Sequence, residues 1–491
     1  MSAVLTPPAS VPTIVARPKM ATDIPLSIIT HDVVETRLGT LRFFDGLPDE
    51  QTVQTVYDNL DFQRGVQAFL AGLPAAVFSA IRTGVRTFGP DNQTVLIPES
   101  LIDSRTLIYA ANAETVYIFV WLDAKDGPLV IDVPPRVLGF INDAWGRYVA
   151  DVGNAGPDKG KGGKYLLLPP GYTGDVPYEY FVSSSHTFGN LLCARGFLVN
   201  GDPRPSVESV KQHLRVYPLG RAADPPPMTF IDVSGAAWNS IAASDASLFA
   251  DVAQVVQDEP LEAIDAETRG LLASVGIRKG TPFAPNARMQ RILTEAAAVG
   301  NATARALLFR SRDPDAAFYP DSGWETAWIG GYDFTRDGVL DLDARTRLFC
   351  VGWGNTPAMT VQMVGLGSQY AIAFRDAAGH YLDGGKPYRL HLPPNIPAKD
   401  FWSVLVYDPQ TRSMLQTDQR FPSLSSQSES LVTNPDGSVD IYFGPEPSAG
   451  NEANWIQTIP GKGFFVGLRL YGPLEPWFDK SWRPGEIERM E

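Results

Sequence analysis

The chain is poor in cysteine, in histidine and in clustered positive charge. It has two cysteines, Cys193 and Cys350, among 491 residues, which excludes a disulfide framework. Its five histidines, His31, His186, His213, His380 and His391, form no His-x-His or His-x-x-x-His pair. A cupin-like metal site needs two or three histidines close in sequence, so neither a metal nor a cofactor is expected. Lys and Arg total 41 against 55 Asp and Glu, giving a net charge of −14 and no basic run. That excludes nucleic acid as a partner, because neutralising phosphates takes clustered Lys and Arg. No stretch approaches the ~20 apolar residues of a membrane-spanning helix, so no membrane partner is expected. The N-terminus lacks a charged start followed by an apolar core. The expected location is therefore cytoplasmic, with a periplasmic or secreted form lacking its leader as the alternative. Motifs for hydrolytic and nucleotide chemistry are also missing. There is no Gly-x-Ser-x-Gly elbow and no Gly-x-Gly-x-x-Gly turn, and the glycine-lysine run at 156–164 lacks the terminal Lys-Ser/Thr of a phosphate loop.

What is present is turn chemistry: 44 Gly and 41 Pro, the pattern of many short strands. The organising stretch runs from Ile108 to Asp151, and its outline returns from Gly367 to Asp408. Both copies place Asp-Ala six residues after a Tyr (Tyr117 and Asp123, Tyr370 and Asp376). Both follow with an Asp-Gly turn (Asp126-Gly127, Asp383-Gly384) and a Pro-Pro pair (Pro134-Pro135, Pro393-Pro394). Both end in Asp-x-Trp-x5-Asp (Asp143, Trp145, Asp151 and Asp400, Trp402, Asp408). An even separation keeps Tyr and Asp on one strand face. Asp-Gly supplies positive φ for a tight turn, and Pro-Pro ends a strand. The pattern reads as an internal duplication of one β module, with Arg195 and Arg469 at matching places in a late apolar strand of each copy.

The expected fold is α+β and mainly β. It consists of two related jelly-roll-like β-sandwich modules with a helical insertion between them and a helical N-terminal section. In order, residues 1–30 form an extended or disordered arm, and 31–94 a strand and helices, with Pro74 kinking or splitting the second helix. Residues 95–202 form the first module and 203–344 a helical insertion with an aromatic bridge. Residues 345–475 form the second module and 476–491 a tail whose Trp477 and Trp482 fold back. In the insertion, Leu293, Ala296, Ala297, Gly300 and Ala304 give a small-residue face suited to close packing.

The chain resembles the two-part DUF1254/DUF1214 bacterial proteins of unknown function. The first part carries Asn112-Ala113-Glu114-Thr115-Val116-Tyr117, Arg147-Tyr148 and Pro169-Pro170-Gly171-Tyr172. The second carries Phe401-Trp402-Ser403, Tyr407-Asp408, Asn434-Pro435-Asp436-Gly437-Ser438 and Asn454-Trp455. The resemblance implies β-sandwich modules joined by helices, and no settled reaction. The chain departs from the family pattern at Glu114, where Asp is usual, and at Trp455-Ile456-Gln457, where Trp-Leu-Pro is usual.

Comparing the copies separates two kinds of residue. Those present twice are expected to hold the fold, whereas a single site need appear only once. Opposite Asn112 and Glu114 the second copy has Gly365 and Gly367. The candidate site is therefore Asn112, Glu114, Tyr117 and Arg147, with Glu114 as acid or base, Tyr117 as donor and Arg147 fixing the substrate. Trp121, Trp402, Tyr407 and Trp455 complete a cleft between modules, where aromatic platforms suit polyhydroxylated or aromatic molecules. The same residues also fit a structural role, with Glu114 paired to an Arg, Asn112 holding a loop and the Trp side chains packing the core. The function expected is a metal-independent hydrolase or lyase acting on a small-molecule ligand. A carbohydrate- or ligand-binding protein without turnover is one alternative. A structural or assembly protein, dimerising through a sheet edge, is the other.

Overall fold

The computed structural model describes residues 19–491. The first 18 residues of the expected arm lie outside them. The chain divides into two compact units at residue 60. In the first, β1 (Val33–Thr36), β2 (Gly39–Phe44) and β3 (Leu47–Pro48) form a three-stranded sheet. Asp45 and Gly46 turn β2 into β3 with φ of 49° and 82°, the positive values an Asp-Gly turn provides.

Helix α1 (Glu50–Arg86) starts after Asp49, whose carboxylate accepts the Thr52 N–H at 2.7 Å. Pro74 does not split it: one helix of 37 residues runs through. By length and composition a segment of it could cross a membrane, but that segment is mostly buried inside the protein. Two small residues show how close its neighbours come. A Cβ on Gly72 would lie 2.7 Å from Val252, and one on Gly300 would lie 2.6 Å from the Phe69 ring. The second contact is the close packing that the small-residue face of 293–304 implies.

Two sandwiches follow. The strands of the first are β4 (Thr94–Ile97), β5 (Thr115–Asp123), β6 (Leu129–Val133), β7 (Val137–Asp143), β8 (Tyr148–Gly153), β9 (Gly163–Leu168), β10 (Phe181–Ser184) and β11 (Gly189–Phe197). After α2 (Arg204–His213) come β12 (Arg215–Pro218) and β13 (Thr229–Asp232). The large sheet has the order β13-β4-β5-β11-β7-β8 and the small one β10-β9-β6-β12. The first module thus extends past residue 202, because β12 and β13 ladder onto it.

Helices α3 (Leu248–Asp258), α4 (Ala266–Ser274) and α5 (Ala287–Phe309) make the insertion. The second module takes in β14 (Trp324–Glu325) from the aromatic bridge; then come the short hairpin β15 (Thr335–Arg336) and β16 (Val339–Leu340) and helices α6 (Leu342–Val351) and α7 (Pro357–Thr360). Its remaining strands are β17 (Ser368–Ala373), β18 (Tyr388–Leu392), β19 (Ala398–Tyr407), β20 (Ser423–Ser425), β21 (Val439–Gly444), β22 (Trp455–Gln457) and β23 (Phe465–Pro473). Helix α8 (Glu475–Phe478) leads to β24 (Ile487–Arg489), which pairs with β18, so the tail is part of this module.

The second module repeats the first strand for strand except for the edge strand β13, which has no counterpart. Its sheets have the orders β14-β17-β23-β19-β20 and β22-β21-β18-β24. Within each small sheet the same neighbouring pair is parallel, β9 with β10 and β21 with β22. Tyr117 lies opposite Arg195 and Tyr370 opposite Arg469. Each Pro-Pro pair ends the equivalent strand, β6 or β18, and the next residue is left-handed in both copies (Arg136, φ 59°; Asn395, φ 60°).

One of the repeated markers is not equivalent in space. Residues opposite the position after each Arg are Val137 in β7 and Trp402 in β19, so Trp402 corresponds to Val137 and not to Trp145. The Asp-x-Trp coincidence is one of spelling alone.

Three cores result. Ile118, Val120 and Ile131 belong to the core between the sheets of the first module, and Trp402, Val404 and Leu390 to that of the second. A third contains the opposite faces of both large sheets, with Tyr117 and Phe119 from one and Tyr370 and Tyr407 from the other, together with α1 and the insertion helices.

Gly153 closes β8 at φ 76°, and a Cβ there would lie 1.9 Å from the Val137 carbonyl oxygen. Exchange for Ala combines a left-handed penalty with a backbone clash, so Gly153→Ala is expected to cost at least about 2 kcal/mol. Urea unfolding of the variant measures it.

Candidate functional site

Strand β5 is buried on both faces, and period two assigns Tyr117, Phe119 and Trp121 to the face that meets the second module. Strand β23 does the same with Phe465 and Arg469. The polar ends of these rows meet in one buried cluster of two arginines and four tyrosines.

Arg195 Nη1 donates to the Tyr370 hydroxyl at 3.0 Å and to the Tyr471 hydroxyl at 3.2 Å. Arg469 donates from Nη1 to the Ala110 carbonyl at 2.6 Å and to Tyr407 at 3.1 Å, and from Nη2 to Tyr471 at 3.2 Å. Its guanidinium also lies over the Tyr370 ring, 4.6 Å from the centre. Ser368 Oγ sits 2.6 Å from the Tyr370 hydroxyl.

This cluster forms one wall of an internal cavity of about 80 Å³. Tyr117, Tyr370, Tyr407, Arg195 and Arg469 line it, and Trp328, Trp353 and Phe465 add apolar surface beside them. Four donor nitrogens around it lack a protein partner. Among the described residues nothing pairs with Arg195 Nε or Nη2, and Arg469 Nε and Trp328 Nε1 are buried without an acceptor. Buried polar groups are normally satisfied, so a cavity wall with unused guanidinium donors is prepared for acceptor oxygens.

The structure brings together Asn112, Glu114, Tyr117 and Tyr407, in a different arrangement from the one the sequence suggested. Asn112 and Glu114 lie in the turn before β5, not on its face. Asn112 Oδ1 accepts the Glu114 N–H and the Thr115 hydroxyl, both at 2.9 Å, and its amide donates to Tyr471 at 2.5 Å. The Tyr117 hydroxyl accepts from Asn112 N and Nδ2 at 3.3 and 3.4 Å. Both contacts use its lone pairs, so its own proton remains to be donated. Tyr407 donates to the Ala111 carbonyl at 2.8 Å.

Glu114 is buried but does not line the cavity. Burial pushes its carboxyl above the ordinary range, and Ser423, Arg469 and Ser403 offset part of that. Its place is behind Arg469, as a neighbouring countercharge. Opposite it, Gly367 is required by the backbone: φ is 69° and a Cβ would lie 2.2 Å from the Ala358 carbonyl.

Four expected residues do not join. Arg147 is held by Asp143 at 2.6 Å and by the Ala263 carbonyl at 2.7 Å, an i,i+4 pair at the other end of β7. Trp121 packs in the shared core with Arg82 over its ring. Trp402 shares a face of β19 with Val404 and Val406, inside the second sandwich. Five residues separate it from Tyr407, an odd number, so strand alternation sends the two to opposite faces. Trp455 lies in β22 of the small sheet and donates to the Gly444 carbonyl at 2.9 Å.

Sequence reasoning set aside Tyr370, Arg195 and Arg469 and did not single out Tyr471. The first three occur in both copies or face a copy, and repetition pointed to fold maintenance. The signal available was an arginine inside an apolar strand, which must be satisfied by buried partners.

The duplicated tyrosines differ in acidity. Burial would raise Tyr370, but Arg195 and Arg469 outweigh it and hold the hydroxyl at about 8. Burial dominates at Tyr117, which is pushed far above the ordinary tyrosine value. Tyr407 is raised to about 12, also by burial. The Cys193 thiol on the cavity wall is pushed up to about 12 by burial and stays protonated. Among the described residues no group of three His, Cys, Asp or Glu is placed to hold a metal ion.

Residues 92–218 match the family model described as protein of unknown function DUF1254, and residues 367–475 match that of DUF1214. No curated protein matches. Among solved structures the chain is similar to the VPA0106 protein from Vibrio parahaemolyticus, with a TM-score of 0.55 and 18% identity, over 88% of this chain and 100% of that one. An uncharacterized protein from Burkholderia cenocepacia matches at a TM-score of 0.41 and 13% identity, over 89% of this chain and 96% of that one. The Vibrio likeness extends to the fold.

Proposed function

We propose, for a chain that carries both the DUF1254 and the DUF1214 module, that the buried cavity binds a compact organic anion and moves a proton on it. The carrying observation is the pair Tyr117 and Tyr370, equivalent residues of two copies on one cavity wall, with acidities driven in opposite directions. Groups pushed apart in this way are suited to act as acid and base. Tyr370, as phenolate, is the base. Arg195 holds the anionic oxygen and Tyr117 donates a proton.

Of hydrolysis and elimination, the arrangement favours a lyase. In a short β-hydroxy acid, Tyr370 takes the proton from the carbon next to the carboxylate. That C–H pair forms the new double bond, and the C–O bond breaks with its electrons on the hydroxyl oxygen. The Tyr117 proton completes a water molecule. Hydrolysis has less support, since the protonated Cys193 is a poor nucleophile.

Proton NMR in deuterium oxide with a panel of short hydroxy acids tests the reading. Exchange at the carbon next to the carboxylate is expected with the protein and is expected to disappear in Tyr370→Phe. Binding with no exchange or elimination would leave only a ligand-binding protein.

The base also predicts a pH effect. Ultraviolet titration is expected to show one tyrosinate forming near pH 8, absent from Tyr370→Phe. A folded value below the unfolded one, about 10, means that the unfolded chain holds more protons between them. The contribution of Tyr370 to stability is therefore fully present above pH 10 and is lost as pH falls through about 8. Urea unfolding at several pH values should show that slope in the parent and not in Tyr370→Phe.

A further inference from the structure

A second hollow, of about 540 Å³, opens on the surface between α5 and the second module. Phe465 lines both this cleft and the buried cavity. Its ring lies 5.4 Å from Phe374 and 6.2 Å from Phe309, which are themselves 5.1 Å apart. On the inner side it stacks on Tyr407 at 5.1 Å. One aromatic side chain is thus shared by the surface cleft and the cavity behind it. It is 1% exposed and has free volume on both sides.

The rim of the cleft is cationic. Arg305 is fixed there by the Pro409 and Gln410 carbonyls at 2.9 and 3.0 Å. Lys462 pairs with Asp408 at 2.6 Å and leaves 40% of its side chain exposed. Two cations against one carboxylate give the rim a net positive charge, and the cavity beyond Phe465 holds two more guanidinia. An aromatic floor with positive charge along one path suits a single-ring monoanion: the ring rests on phenylalanine faces while the charge is drawn inward.

We propose that this cleft is the outer binding station of the buried site, that it selects small aromatic monoanions, and that rotation of Phe465 passes them inward. The proposal rests on the reading of the buried cavity as a ligand site. Cavity and cleft adjoin the ring on either side, so a ring-bearing anion, too large for about 80 Å³ alone, reaches Arg195 only once Phe465 has turned and joined the two.

Benzoate is a suitable probe, since Trp328 and Trp353 on the cavity wall report its arrival by fluorescence. In stopped flow, Phe465→Ala is expected to raise the association and dissociation rates together, each by about tenfold or more, with little change in Kd. Lys462→Glu, an exposed substitution that leaves the core intact, is expected to slow association about threefold or more at low salt and to match the parent at high salt. Should Phe465→Ala fail to fold, Lys462→Glu decides alone. Parental binding with unchanged rates in both variants would overturn the outer station and leave the buried site standing. Absence of benzoate binding in the parent protein would overturn the outer station, while exchange on the short hydroxy acids by proton NMR decides the buried site separately.

Discussion

Arg469→Met is expected to destabilise the protein by about 3–5 kcal/mol, because it strips the donor from three buried acceptors at once. The Ala110 carbonyl and the Tyr407 and Tyr471 hydroxyls lose their bonds in a place water does not reach. Ala110 precedes β5 in the first module, while Tyr407 and Tyr471 lie in β19 and β23 of the second. The guanidinium therefore ties the two modules together. Glu114 would also lose the nearest cation favouring its charge. Adding Glu114→Gln to Arg469→Met should recover part of the loss, and Glu114→Gln alone should change stability little, since its partners also accept or donate to an amide. Denaturant unfolding of the parent, both single variants and the double variant gives the coupling. A loss under about 1 kcal/mol in Arg469→Met would contradict the cluster as the tie between modules.

The second large effect falls on binding. Arg195→Gln is expected to weaken benzoate by about 10- to 100-fold, the range for losing a charge-assisted hydrogen bond in a dry site. Arg195 differs from its duplicate: Arg469 spends both Nη atoms on protein acceptors and has only Nε unpaired, whereas Arg195 uses only Nη1. Only Arg195 retains two unpaired donors toward the cavity. Arg195→Lys keeps the charge without the planar fork and should fall between. Tryptophan fluorescence titration measures all three proteins. Equal affinity in the parent and Arg195→Gln would show that the anion is not held there.

Both effects arise at residues that repetition had marked as structural. The duplication itself was legible because its markers are local: a Pro-Pro pair ends a strand and an Asp-Gly pair turns one wherever they occur. The register of Tyr117 with Arg195 and of Tyr370 with Arg469 reproduces what the repeated spacing implied. Repetition does not by itself assign a residue to the fold alone. Two copies that face each other bring their repeated side chains into one place, and a pair of arginines and tyrosines there is no longer two separate packing solutions. Arg147 shows a different failure. It follows Asp143 by four residues in sequence, and that neighbour, together with the Ala263 carbonyl supplied by the insertion, holds it. The error over Trp402 was avoidable, since an odd separation from Tyr407 along one strand places the two on opposite faces.

By itself the sequence determined the strands, turns, capped helices and the copying of one sandwich, because each depends on backbone preferences and alternation over a few residues. Which large-sheet faces meet, which arginine keeps free donors and which tyrosine loses its proton most readily were decided only in the tertiary structure. Those properties depend on groups hundreds of residues apart sharing a buried space, where a neighbouring charge outweighs the intrinsic chemistry of either side chain.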